Sequence, residues 1–236
     1  MNIVKAQSSI PVIVQDVAEA PATPRSAVKY AVEAIGTFFV VFTVGSAVGS
    51  HSPLTPLAIG AALMVMIYAG GHLSGGHYNP AVTLAALVRR RIGPRDATAY
   101  WISQFGAGLL AAVVVRAFVD PIQPITTMTL SGHRLTAAFV VEMLFTFALC
   151  YVVLNVATSK SHPVNSFYGL AIGFTVVAGA IAVGSISGGA FNPAVTVGAG
   201  VMNVFAWPTL WVYLVAQVIG GVAAGVAFLG LNPDDR

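Results

Sequence analysis

Two short stretches hold the residues whose types and spacing suggest a chemical task. Ser74-Gly75-Gly76-His77-Tyr78-Asn79-Pro80-Ala81-Val82-Thr83 returns as Ser187-Gly188-Gly189-Ala190-Phe191-Asn192-Pro193-Ala194-Val195-Thr196, identical at eight of ten positions. In each, glycines expose bare backbone, an asparagine supplies amide donors, and a proline opens a short apolar stretch, as proline does in a first helical turn. The carbonyls of Gly75, Gly76 and His77, and those of Gly188, Gly189 and Ala190, could form a ladder of hydrogen-bond acceptors, with Asn79 and Asn192 donating at its middle. This is recognition rather than bond making. The sequence offers no carboxylate pair, nucleotide-binding glycine loop or metal-ligand cluster, so no catalytic group, metal or cofactor is expected.

The elements that must carry these stretches follow from composition. Of 236 residues 57% are hydrophobic and only 8% charged, against roughly 25% charged in a soluble domain. Lipid is therefore the expected solvent, and an all-α membrane protein the expected fold class. Apolar runs at 28–50, 54–73, 98–118, 135–157, 166–184 and 208–230 are long enough to span. Runs at 80–88 and 193–203 are too short, and each begins at the proline of an Asn-Pro pair, which predicts two re-entrant half-helices. Residues 1–27 read as a mobile tail, 28–230 as one membrane domain and 231–236 as a second tail.

A net charge of +3 raises the idea of a nucleic-acid partner, but its distribution excludes that. Lys5, Arg25, Lys29, Arg89, Arg90, Arg91, Arg95, Lys160 and Arg236 fall on one face of the predicted layout, and only Arg116 and Arg134 on the other. The positive-inside rule then puts both termini in the cytoplasm. It also reads the Arg89–Arg91 run as an orientation signal beside lipid headgroups. The single cysteine, Cys150, sits in an apolar run and reads as a small packing residue.

The repeat extends beyond the two stretches. Glu33 and Thr37-Phe38 answer Glu142 and Thr146-Phe147, and Gln104 with Gly108 answers Gln217 with Gly221. Each copy, 28–118 and 135–230, holds three spans and one half-helix, so the second must enter the membrane from the opposite side. The half-helices then meet head to head near the midplane, with positive dipole ends and free N–H groups around one point. Backbone at that depth is tolerated only in a water-filled cavity or inside protein. A column of water would donate to the carbonyls and accept from the two amides, while the dipoles oppose cations and protons. Neutral traffic is the expectation.

Two Asn-Pro-Ala boxes, Asn79-Pro80-Ala81 and Asn192-Pro193-Ala194, about 110 residues apart within six spans, resemble the aquaporin and aquaglyceroporin family over residues 28–230. The resemblance implies a homotetramer in the lipid bilayer with one pore per subunit, and places Glu33 and Glu142 as buried carboxylates bracing the re-entrant loops. Cost agrees with that: an acid inside a span needs polar partners. The sequence departs from the family where Arg usually follows the second box, because Val195 stands there. By spacing, the remaining positions of the outer selectivity filter fall on Ile59, Ala180 and Gly189, a ring without Arg, His or aromatic group. Such a ring is expected to be wide and apolar, similar to plant vacuolar and bacterial metalloid-linked members, and to pass glycerol, urea, peroxide, or uncharged metalloid and small-acid species as well as water. A bacterial inner membrane is the expected location.

Other readings stay open from residues alone. His133 or Arg134, in the long external loop, could reach over the mouth. A secondary transporter also uses inverted repeats and broken helices, and an occluded structural membrane protein would share the layout. His72 and His77 flank the first re-entrant turn and are expected to fix it by hydrogen bonds. His162 reads as a solvated loop histidine, and Gly106, Gly108, Gly220, Gly221 and Gly225 as close helix packing.

Overall fold

A computed structural model describes residues 24–119, 125–163 and 165–235. The expected tail 1–27 lies almost wholly outside the described residues, save that Ser26 and Ala27 already belong to the first helix. Eight α-helices follow: α1 (Ser26–Gly49), α2 (Thr55–Ser74), α3 (Pro80–Val88), α4 (Pro94–Phe118), α5 (Gly132–Thr158), α6 (Tyr168–Ser187), α7 (Pro193–Val201) and α8 (Leu210–Leu231), the last preceded by a short 3-10 turn, Trp207–Thr209. Six are long and apolar enough to cross a membrane. The other two, α3 and α7, have nine residues each, so at 1.5 Å per residue each reaches about halfway through.

Helices α4 and α5 run a few residues longer than their apolar runs predict. Helix α4 begins at Pro94 because proline at its first position needs no N–H partner, and its opening turn carries Arg95 and Asp96, which hydropathy excludes. Large apolar side chains turn outward, as lipid allows: Ile102, Phe118 and Ile181 are at least two-thirds exposed. Small residues turn inward. A Cβ on Gly108 would stand 3.2 Å from the Ala194 carbonyl oxygen, and one on Gly221 would stand 2.8 Å from that of Ala81, so each half-helix is seated against a glycine of the other repeat. Gly220 and Gly225 are equally tight, but Gly106 has nothing within 4 Å. It faces outward and packs no helix.

The topology is two-fold. Helix α1 lies against α2 and α4 as α5 lies against α6 and α8, while α2 meets α6, α3 lies on α8, and α7 lies on α4. Cys150 is fully buried within this core.

Candidate functional site

Each re-entrant turn starts where a spanning helix stops. Helices α2 and α6 end at Gly75 and Gly188, whose φ of 93° and 88° belong to the left-handed region that favours glycine. Two residues before each proline the chain takes the same left-handed turn without glycine, at Tyr78 (φ 46°) and Phe191 (φ 49°). Such backbone persists only where neighbours over-determine it. Those neighbours are the two glutamates.

Glu33 accepts from the Ser74 hydroxyl (2.7 Å), the His77 N–H (2.9 Å), the Tyr78 N–H (2.7 Å) and the Gln104 amide (2.9 Å). Glu142 accepts from Ser187 (2.7 Å), the Ala190 and Phe191 N–H groups (both 2.9 Å) and Gln217 (3.0 Å). Both carboxylates are fully buried. Four donors on each consume the acceptor capacity of an acid at this depth, which leaves neither free to hold a coupling ion.

The asparagines join the halves. Asn79 caps α3 by accepting from the Ala81 N–H (2.8 Å) and donates to the Phe191 carbonyl (2.9 Å). Asn192 caps α7 by accepting from Ala194 (2.9 Å) and donates to the Tyr78 carbonyl (2.9 Å). The half-helix N-termini are thus tied head to head, as the odd number of spans requires. Each amide keeps a second N–H for whatever lies beside it.

A cavity of about 360 Å³ runs along this junction. Asn79 and Asn192 line it with Gly76, His77, Gly188, Gly189 and Ala190, and so do all four expected filter residues, Ile59, Ala180, Gly189 and Val195. Gly75 opens instead onto a smaller cavity beside Lys29 and Arg91, and His77 belongs to both. Much of the remaining wall is aliphatic, including Val40, Val44, Leu63, Leu149, Ile172 and Val176, and among the described residues no Lys, Arg, Asp or Glu lines it.

Some expectations need correction. His133 and Arg134 are exposed and do not line the cavity. They belong to the first turn of α5, and from the segment preceding it Thr126 and Met128 line the cavity, together with Phe205. The Met128 N–H donates to the Val204 carbonyl (2.8 Å), the Ala206 N–H donates back to Met128 (3.1 Å), and Thr127 bonds Asn203 (2.8 Å). Pairing between segments this far apart leaves no sequence signal short of the isolated Phe205 and Met128 themselves. His77 does fix its turn, Nδ1 lying 3.0 Å from the Thr83 hydroxyl, whereas His72 is exposed and none of the hydrogen bonds described at the turn involves it. Arg89 is not a headgroup contact: it is 2% exposed, while Arg90 and Arg91 are exposed.

The sequence pattern of the family described as Major intrinsic protein matches residues 21–228. The chain is 38% identical over 218 residues to the glycerol uptake facilitator protein-like 6 of Lactiplantibacillus plantarum, covering 88% of this chain and 99% of that one. It is 36% identical over 220 residues to aquaporin NIP2-1 of Oryza sativa subsp. japonica, covering 90% and 73%. The fold is that of the aquaglyceroporin from Plasmodium falciparum, with a TM-score of 0.73 at 21% identity over 86% of this chain and 96% of the other. With two opposed Asn-Pro-Ala half-helices meeting beside an uncharged cavity, the chain belongs to the major intrinsic protein family and is a passive membrane channel for water and small solutes.

Proposed function

We propose that the cavity is a permeation path with a wide, apolar outer filter of Ile59, Ala180, Gly189 and Val195, passing glycerol, urea, peroxide, or uncharged metalloid and small-acid species beside water. One observation carries the reading: the four residues line a single cavity that also holds both asparagines and no charged side chain among the described residues. A donor-rich neutral solute exchanges its water for carbonyls of the two glycine turns and for the second N–H of Asn79 and Asn192, while the half-helix dipoles repel cations. Val195 adds bulk but no charge, so anions are not drawn in. The name of the Lactiplantibacillus relative favours glycerol among these solutes.

In this reading Glu33 and Glu142 brace the turns, one pore runs through residues 28–230 of each subunit of a homotetramer, and both termini face the cytoplasm of a bacterial inner membrane. The basic residues of the Arg89–Arg91 side support that orientation.

Stopped-flow light scattering on proteoliposomes tests it. The wild type should raise glycerol and urea permeability above that of empty vesicles. Val195→Arg should cut that flux, because a fixed cation narrows the filter and raises an electrostatic barrier there, and spare water more. Water permeability without glycerol or urea flux would sink the wide-filter reading, and an unchanged solute-to-water ratio in Val195→Arg would remove Val195 from the constriction.

A further inference from the structure

The second cavity, about 280 Å³, lies toward the face opposite the filter and shares His77 with the pore cavity as a lining residue. One wall carries Ala86 and Arg91 from the end of α3 and the residues just after it, and the facing wall carries Ala157 and Thr158 from the end of α5. Away from the cavity, the ends of α3 and α5 are joined by a buried ionic knot. Arg89, the C-cap of α3, donates to Asp235 Oδ1 (2.9 Å) and to the Thr158 carbonyl (3.1 Å), and its guanidinium carbon sits 4.1 Å over the Phe228 ring. Asp235 Oδ2 accepts from the Ser159 hydroxyl (2.9 Å) and the Lys160 N–H (2.8 Å). The two ionic side chains are 1% and 7% exposed.

Burying such a pair costs more than an apolar contact of the same size unless every bond is well directed. Here Asp235 has three partners, whereas Arg89 Nε has none among the described residues. The knot is thus an expensive way to hold two helices together. Its distinguishing property is direction: it fixes the end of α3 relative to the end of α5. Helix α3 is a nine-residue rod whose other end is Asn79 in the pore, so a displacement at Arg89 moves the vestibule wall and tilts the rod.

We propose that Arg89 and Asp235 are positioning residues for permeation, their buried knot setting the separation of the vestibule walls and so the size of solute admitted from that face. The segment after α8 then belongs to the permeation machinery. The proposal rests on the channel reading above.

Its test is the glycerol-to-water permeability ratio in proteoliposomes for the wild type, Asp235→Ala, Asp235→Glu and the double variant Arg89→Leu/Asp235→Leu, which leaves no orphaned charge. Asp235→Ala and the double variant should shift the ratio at least about twofold, a modest coupling for residues outside the pore, and Asp235→Glu should recover most of it. A monodisperse double variant with the wild-type ratio overturns the proposal. If neither of these two variants is recovered folded, Ser159→Ala decides, a smaller shift of the same sign being expected and an unchanged ratio overturning it. A wild type with no flux above empty vesicles defeats the channel reading instead. The clamp is then judged by hydrogen exchange at residues 86–91 of Ser159→Ala, where faster exchange is expected and unchanged exchange overturns it.

Discussion

In the first repeat the Tyr100 hydroxyl donates to the Ser74 carbonyl (2.5 Å), and two rings pack edge-on against Tyr100, His77 from the turn itself and Tyr30 from α1. In the second, Tyr213 donates to the Ser187 carbonyl (2.7 Å), and the packed ring is Phe205, from the segment after α7 that the segment before α5 grips through Met128. The glutamate, the serine, the two turn N–H groups and the glutamine are the same in both. The repeats therefore agree where backbone must be satisfied at membrane depth, where each orphaned group costs several kcal/mol. They differ where they meet the two mouths: imidazole and an ionic knot at one, phenyl and thioether at the other.

The largest effect should come from breaking the shared part. Glu33→Ala or Glu142→Ala strands four buried donors, each worth about 1–3 kcal/mol when orphaned. Neither variant should yield monodisperse protein in detergent at a yield near the wild type. If the bonding schemes are equivalent, the two should fail alike. One variant surviving with normal flux would show that its turn is held by something other than its glutamate.

A smaller effect should separate the repeats. Gly75 and Gly188 have nearly the same φ, so alanine at either incurs about 1–2 kcal/mol of backbone strain. Their surroundings differ: a Cβ on Gly188 would stand 2.5 Å from Phe205 Cε1, whereas one on Gly75 meets nothing nearer than His77 Nε2 at 3.3 Å. Phe205 is stacked on Tyr213 with ring centroids 4.6 Å apart and is 4% exposed, so it has little room to yield. Gly188→Ala should cost a further roughly 1–3 kcal/mol of stability, as an overpacked core does, and so lower the melting temperature more than Gly75→Ala. Equal shifts in a melting experiment would mean that Phe205 moves aside.

What could be read in the sequence follows the same division. Eight identical residues in ten, with Gln104 answering Gln217, announced the inverted repeat, and the paired Glu33 and Glu142 announced acids that must find polar partners, because a buried acid and exposed backbone at depth have few solutions; the bonds of the two glutamines to those acids were not legible there. The helix count and the head-to-head half-helices followed from run length and the parity of spans. The mouths did not. Met128 and Phe205 meet through two backbone bonds between distant segments, which depend on loop paths rather than on residue type. Arg89 read as one of three like charges, and only its neighbours in space, Phe228 and Asp235, distinguish it from Arg90 and Arg91.

The smallest expected effect concerns pH, and it confines a response to one mouth. Burial alone would raise the Asp235 carboxyl, but the Lys160 N–H, the Ser159 hydroxyl and the Arg89 guanidinium hold it below the usual carboxylate range. A carboxylate depressed in the folded state contributes stability above its unfolded pKa and loses it as pH falls through the folded one. The knot should therefore stay intact from about pH 7 to about pH 5, and the glycerol-to-water ratio should stay flat over that window. A change is expected only below about pH 4, and only when acid is applied from the face that carries Arg89, since the described residues at the filter face include no comparable buried ion pair. A midpoint near pH 6 would instead detach the acid response of that mouth from Asp235, whose carboxyl is held below that range.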